Sequence, residues 1–212
     1  AIMSNYIPVL QHPLFFAGLL AFAAGCALLL LRAMSAIPPV GMWVAGAGAL
    51  RFGLNAAAVS AALALIAFAW SFLLAPDFLH GKAYYELLFW GGGHVLQFTY
   101  TLLMLVAWLW LASASGAPPR VTPRVALLLF ALGLMAVFAT PLIYYAHELT
   151  SVGHIKLFTW LMRYGGGLAT VPLSLALLPG LLAAPRAAPA ERPLRAALLA
   201  SMLLFGIGGI IG

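Results

Sequence analysis

The sequence predicts an all-α protein, a polytopic bundle of transmembrane helices. The chain has 212 residues, of which 65% are hydrophobic and only 7% are charged. Its mean hydropathy is +1.10, whereas a soluble domain carries about 25% charged residues. So few charges cannot cover a water-facing surface, and we expect a lipid bilayer around most of the chain. The net charge of +6 is small and scattered, which argues against a nucleic-acid partner.

About six apolar stretches approach the length of roughly 20 residues that crosses a bilayer. In chain order they cover residues 13–31, 51–74, 86–112, 125–146, 154–182 and 194–212. The first begins at a proline, which favours the first turn of a helix, and is closed by Arg32. The second is rich in Ala and Leu and is followed by Asp77. The third contains His94 directly after three glycines, which allow another helix or a flat cofactor to approach the backbone closely.

The last three stretches are interrupted or short. Pro141 is expected to kink the fourth near its end. The glycines at 165–167 and Pro172 are expected to break the fifth. The sixth has fewer than the roughly 20 residues of a full span and has no polar exit before Gly212. We therefore expect residues 1–212 to form a single transmembrane domain that is part of a longer polypeptide.

The basic residues of the loops predict the orientation, because Lys and Arg accumulate on the cytoplasmic side. The loops after the first, third and fifth stretches carry most of these residues: Arg32, Arg51, Arg120, Arg124, Arg186, Arg192 and Arg195. The other two loops have only Lys82 and Lys156. The pattern predicts that the N-terminus lies outside, and it places His94 and His147 near the outer face.

His94 is the first candidate site residue, because an ionisable side chain inside a membrane span usually indicates function. On the predicted orientation His94, His147 and Glu148 lie at a similar depth. Neutral imidazoles from different helices can bind copper or iron together. Glu148 is interpreted as a third ligand, as a catalytic proton relay, or as a carboxylate that orients an imidazole. The alternative is that His94 hydrogen-bonds a carbonyl on a neighbouring helix and that His147 caps a helix at the water interface.

The remaining histidines, His12, His80 and His154, lie in or beside predicted loops, where contact with water is the expected state. The six tryptophans and four of the tyrosines lie mostly near predicted membrane edges, where an aromatic belt explains them. They are Trp43, Trp70, Trp90, Trp108, Trp110, Trp160, Tyr84, Tyr85, Tyr144 and Tyr145.

Three motifs, in order, resemble subunit I of the haem-copper oxidases. Residues 88–94, Leu-Phe-Trp-Gly-Gly-Gly-His, are similar to the Leu-Phe-Trp-x-x-Gly-His of its sixth helix. Residues 146–153, with Ala-His-Glu and then Val-Gly, are similar to the Ala-His-His-x-x-x-Val-Gly that ends its seventh helix. Residues 204–212 are similar to the Leu-Phe-x-x-Gly-Gly-x-x-Gly of its ninth helix. Pro172 falls where its eighth helix has a proline.

The resemblance implies that the six stretches correspond to helices four to nine of a twelve-helix subunit. It implies a respiratory complex of the bacterial inner membrane, with other membrane subunits, that reduces dioxygen or nitric oxide. Electrons would come from cytochrome c or quinol, and the cofactors would be haem with copper or non-haem iron. His94 and His147 would be metal ligands, with Glu148 as the third.

The sequence also departs from the family. Glu148 replaces the second histidine of the pair, and Phe98 stands where the common oxidases have a cross-linked tyrosine. The family's haem-ligating histidines belong to its second and tenth helices, which these residues do not match. Two alternatives are therefore a non-catalytic membrane scaffold without metal and a small transporter.

Overall fold

The computed structural model describes residues 12–36, 48–117 and 119–211, and it confirms the all-α class. In these residues the chain forms eight α-helices and one π-helical segment. They are α1 (Pro13–Ser35), α2 (Gly48–Leu74), α3 (Gly81–Ala114), α4 (Pro123–Val137), α5 (Thr140–Ala146), α6 (Val152–Trp160), the π-helical segment (Leu161–Gly165), α7 (Gly167–Ala183) and α8 (Arg192–Ile211).

Five helical stretches of the described residues are long and apolar enough to cross a membrane. They are α1, α2, α3, the α4–α5 pair and the run from α6 through α7. The chain is therefore an integral membrane protein by length and composition of its helices. The helix of the sixth predicted stretch, α8, is not among the five. Six spans and an outer N-terminus thus stay predictions, and the N-terminal residues lie outside the described part of the chain.

Short polar side chains and prolines set the helix starts. The His12 ring accepts a hydrogen bond from the Leu14 backbone nitrogen before α1, and Thr122 does the same for Val125 before α4. Each of these helices has proline in its first turn, where the missing N–H costs nothing. His12 is therefore a helix cap, which agrees with its expected place beside a loop.

The fourth predicted span is broken as expected near Pro141. Helix α4 ends at Val137, and α5 begins at Thr140 after two tighter backbone bonds, from Phe138 to Met135 and from Ala139 to Ala136. Pro141 has no N–H to give to the preceding turn, which favours an interruption of the helix at this point. The predicted kink is confirmed.

The fifth predicted span is interrupted at only one of its two expected positions. A π-helical segment at 161–165 joins α6 to α7, next to the glycines. A Cβ on Gly165 would lie 3.0 Å from the Ala136 Cβ, so the backbone approaches α4 closely at this glycine. Pro172, however, lies inside α7 and does not end it. The expectation of a break at Pro172 was wrong, because neighbouring helices stabilise proline within membrane helices.

Helices α2 and α3 pack against each other along their lengths and form the centre of the bundle. The buried face of α2 consists of small residues at helical spacing: Ala49, Gly53, Ala56, Ala57, Ser60, Ala64, Ala67 and Ser71. Small side chains allow two backbones to approach closely, and such faces are typical of helix contacts in membranes. The face thereby brings α3 within reach of short polar side chains on α2.

Buried hydrogen bonds join the two central helices. Thr99 on α3 donates to the Ser60 hydroxyl at 2.9 Å, and Ser60 donates to the Val95 carbonyl at 3.3 Å. At the other end of α3, the Trp108 indole donates to Ser201 on α8 at 2.9 Å. Trp108 is therefore a buried packing residue, so the aromatic belt does not explain it.

The glycine at 53 provides a test of this packing. A Cβ there would lie 2.6 Å from Val106 Cγ2 and 2.7 Å from Phe130 Cζ, whereas one on Gly25 in α1 would contact nothing. We expect Gly53→Ala to be about 1–3 kcal/mol less stable than Gly25→Ala, because overpacking forces the neighbours to move. Unfolding of both variants in detergent measures the difference, and equal stability would contradict the close approach of α2 and α3.

Candidate functional site

The buried imidazole of His94 lies on α3 and faces α6. Its side chain is 8% exposed, and its Nδ1 lies 2.7 Å from the Trp90 carbonyl oxygen. A carbonyl can only accept, so Nδ1 carries the proton, and Nε2 of the neutral ring carries the lone pair. The ring packs beside Trp90, with centroids 4.7 Å apart, and near Phe158, at 6.4 Å. His94 is therefore held in one tautomer that is suited to donate an electron pair from Nε2.

A second imidazole, that of His154, is fully buried. Its side chain is 0% exposed, although the sequence suggested contact with water, so that expectation was wrong. Ser151 caps α6 by accepting from the His154 backbone nitrogen at 3.2 Å, which places the ring inside the first helical turn. Among the described residues neither ring nitrogen has a hydrogen-bond partner. Buried polar groups without partners are rare and call for an explanation.

Tyr144 at the end of α5 lies against His154. Their ring centroids are 4.9 Å apart in an edge-to-face arrangement. The Tyr144 hydroxyl donates to the Ala67 carbonyl at 3.0 Å, and the Ser71 hydroxyl lies 2.7 Å from it. The ring stacks on Trp70 at 4.9 Å. Tyr144 is thus a buried link between α2 and α5, and the prediction that it belongs to an aromatic belt was wrong.

Phe158 separates the two buried imidazoles. Its ring centroid lies 4.9 Å from that of His154 and 6.4 Å from that of His94. Gly91, the first of the three glycines, faces Phe158 and the Tyr144 hydroxyl, and a Cβ there would collide with Tyr144. The three glycines therefore make room for aromatic side chains from other helices of the same chain. The sequence predicted such a close approach by another helix or by a flat cofactor.

His147 and Glu148 lie in the connection between α5 and α6. They line a cavity of about 450 Å³ at the end of the bundle. The rest of its wall consists of Leu74, Pro76, Tyr144, Tyr145, Ala146, Leu149 and Thr150. The His147 ring lies against Gly153, where a Cβ would meet its Nδ1. Glu148 is exposed.

The structure does not bring the three predicted ligands together. In the described part of the chain, no three side chains of His, Cys, Asp or Glu are placed to hold a metal ion. Of these three residues, His94 is the buried one, whereas Glu148 is exposed. These residues therefore do not fit a complete copper or iron site, and metal binding by His94, His147 and Glu148 stays a prediction.

The residues that sequence reasoning missed are His154 and Tyr144. The signal for His154 was Ser151 three residues earlier, since serine before an apolar run typically begins a helix. That placement would have moved His154 from a loop into the first turn. Nothing in the sequence indicates that the Tyr144 hydroxyl bonds to α2, because its partners are 73 and 77 residues away.

Tyr144 and Tyr145 form a matched pair for a test. Tyr144→Phe removes both hydroxyl bonds and leaves the buried Ser71 hydroxyl without its tyrosine partner, which costs about 1–3 kcal/mol. Tyr145 is 90% exposed, so Tyr145→Phe should leave the free energy of unfolding nearly unchanged. Unfolding of the two variants in detergent gives the comparison. Equal stabilities would show that the Tyr144 hydroxyl does not stabilise the junction.

Comparisons with known proteins show relatives of unknown activity. No family model and no solved structure matches the chain. It is 27% identical, over 177 residues, to an uncharacterized protein of Rickettsia prowazekii (strain Madrid E). The aligned region covers 80% of this chain and 34% of the relative. It is 27% identical, over 217 aligned positions, to an uncharacterized protein of Aquifex aeolicus (strain VF5), covering 100% of this chain and 51% of the relative. The chain thus spans between a third and a half of the length of these relatives.

Proposed function

We propose that the chain is a subunit I-like part of a respiratory membrane complex of the haem-copper type, which reduces dioxygen or nitric oxide. The observation that carries the proposal is the geometry of His94. The imidazole is buried in the bundle on α3, and the Trp90 carbonyl fixes its tautomer. A backbone carbonyl on one ring nitrogen is the usual way to orient a metal-binding histidine. The motif at 88–94 supports the same conclusion.

Haem with copper or non-haem iron would supply the electron transfer and the binding of the gas. The contribution of this chain would be one donor nitrogen, a water-poor interior and fixed ring orientation. Trp90 and Phe158 provide aromatic neighbours for the His94 ring, with centroids 4.7 Å and 6.4 Å away. The other metal ligands and the haem ligands would come from residues beyond those described or from partner subunits.

Metal and haem content test the proposal directly. Protein purified from membranes with its natural partners should show a Soret band and stoichiometric copper or non-haem iron. His94→Ala should remove the metal, because the proposed ligand nitrogen is lost, whereas His80→Ala should retain it. His80 is an exposed helix-start residue whose ring makes no capping bond. A colourless, metal-free preparation of the unaltered protein would reject the proposal.

A non-catalytic membrane scaffold is the second candidate. It is favoured by one observation, namely that the described residues do not assemble three metal-binding side chains. In that case His94→Ala would leave assembly with partner subunits unchanged and the unaltered protein would hold no metal. The same purification therefore separates the two candidates.

A further inference from the structure

One face of the run from α6 through α7 points away from the bundle and carries a charged residue. Five exposed side chains follow one another along it at helical spacing: Trp160, Arg163, Tyr164, Val171 and Leu175. Each of the four uncharged side chains is more than half exposed, from Trp160 at 55% to Tyr164 at 66%. These five residues form what we call the outer face. In a membrane protein such a face contacts either lipid or another helix.

Arg163 lies close to the middle of the membrane-spanning part of the bundle. Two residues further on, Gly165 faces α3 and α4, and a Cβ there would lie 3.1 Å from Phe98 Cζ and 3.0 Å from the Ala136 Cβ. Phe98 is half-way along α3, and Ala136 is close to the middle of the span formed by α4 and α5. A helix rises about 1.5 Å per residue, so the backbone of Arg163 lies within one turn of that middle.

No group in the described part of the chain pairs with the Arg163 guanidinium. Among the described residues an ion pair joins Lys82 and Glu86, and no hydrogen bond or ion pair involves Arg163. A charged side chain inside a membrane span is costly, and it is typically paired or turned to the interior of the bundle. Lipid head groups begin about 15 Å from the midplane of a bilayer, which is beyond the reach of an arginine that starts near that plane. Arg163 therefore needs a partner that the described residues do not supply.

The four acidic residues of the sequence lie at the wrong depth to be that partner. Asp77 and Glu148 lie in connections between helices, and Glu191 directly precedes α8. Glu86 lies in the second turn of α3. A second copy of this chain therefore offers no carboxylate at the depth of Arg163, and a symmetric contact through the outer face would bring two guanidinium groups together. The partner must be a different helix.

The outer face leaves room for the backbone of such a helix. Gly167 lies one turn beyond Arg163, and a Cβ there would meet Val171 of the same helix at 4.0 Å and no other helix. Small residues allow helices in membranes to approach closely. Arg163 also lies within the π-helical segment (Leu161–Gly165), and such segments are frequent at functional sites. Both observations favour a protein partner over lipid at this face.

We propose that the outer face docks a transmembrane helix from outside residues 1–212, and that an aspartate or glutamate near the middle of that helix pairs with Arg163. An arginine and a carboxylate can form two parallel hydrogen bonds, so the pair would fix the depth and the rotation of the docked helix. Trp160 and Tyr164, the neighbours of Arg163 on this face, would shield the pair from lipid. The docking needs neither haem nor metal, so it goes beyond the proposed function and does not rest on it.

Photo-crosslinking from the outer face tests for the docked helix. Tyr164→benzoylphenylalanine places the probe next to Arg163 in the full-length protein, which is irradiated in its native membranes with its natural partners. Residue 164 should become joined to a peptide from an apolar segment of about 20 residues that has Asp or Glu near its middle. The same probe at Leu20 on α1, which is 71% exposed, should not capture that peptide. Adducts with lipid alone, or with a helix that has no acidic residue, would overturn the proposal.

Charge variants test whether the ion pair holds the helix in place. Arg163→Leu should lower the yield of the crosslink from residue 164 about tenfold, because it leaves the partner's carboxylate unpaired within the membrane. Lys156→Leu removes an exposed cation near the start of α6 and should leave the yield unchanged. Arg163→Asp should also lose the crosslink, and changing the partner's acidic residue to arginine in the same cells should restore it. This rescue shows that the variant chain is folded.

A face that contacts only lipid gives the opposite result. In that case Arg163→Leu removes a costly charge from lipid, so the protein should resist unfolding better and its crosslinks should stay as they were. That outcome, or a failure of the exchanged charges to restore the crosslink, would contradict the docking of an acidic helix. His94→Ala, which should lose metal under the proposed function, should keep the crosslink, so the two proposals can fail separately.

Discussion

The close approach of α2 and α3 is the constraint on which the rest of the structure depends. Small residues on α2 allow it, and Thr99, Ser60 and the Val95 carbonyl join the two helices by buried hydrogen bonds. In lipid there is little hydrophobic drive between helices, so tight packing and polar bonds must hold the bundle together. The Tyr144 hydroxyl of α5 bonds to the Ala67 carbonyl of α2, and Gly91 of α3 leaves the room that this hydroxyl needs.

The two histidine environments follow from that arrangement. His94 is oriented by a carbonyl of its own helix, so its geometry is local and needs only α3 to form. His154 is buried by contacts with α5, and those depend on the α4–α5 break at Pro141. The buried His94 ring and the cavity at the end of the bundle are therefore two separate features. Phe158 lies between the buried imidazoles.

Much of the fold could be predicted because its causes are local. Apolar length predicted the helices, Pro141 predicted the break before α5, and the glycines at 165–167 predicted the interruption that the π-helical segment makes. The burial of His94 was also predictable, since a polar residue in an apolar span rarely faces lipid. The effect of Pro172 was predicted wrongly because it depends on neighbouring helices. Helix α8, which was predicted as a sixth span, is not among the described helices that are long and apolar enough to cross a membrane.

The sequence by itself determined that this protein is a bundle of membrane helices with a histidine in its interior. It could do so because hydropathy and the conformational limits of the backbone act over a few neighbouring residues. Only the tertiary structure decided which groups meet. It buried His154, bonded Tyr144 to α2, and placed His147 and Glu148 on a cavity at the bundle end. The bond from Tyr144 to α2 and the cavity wall that includes Leu74 join residues far apart in the chain, and helix packing sets their distances.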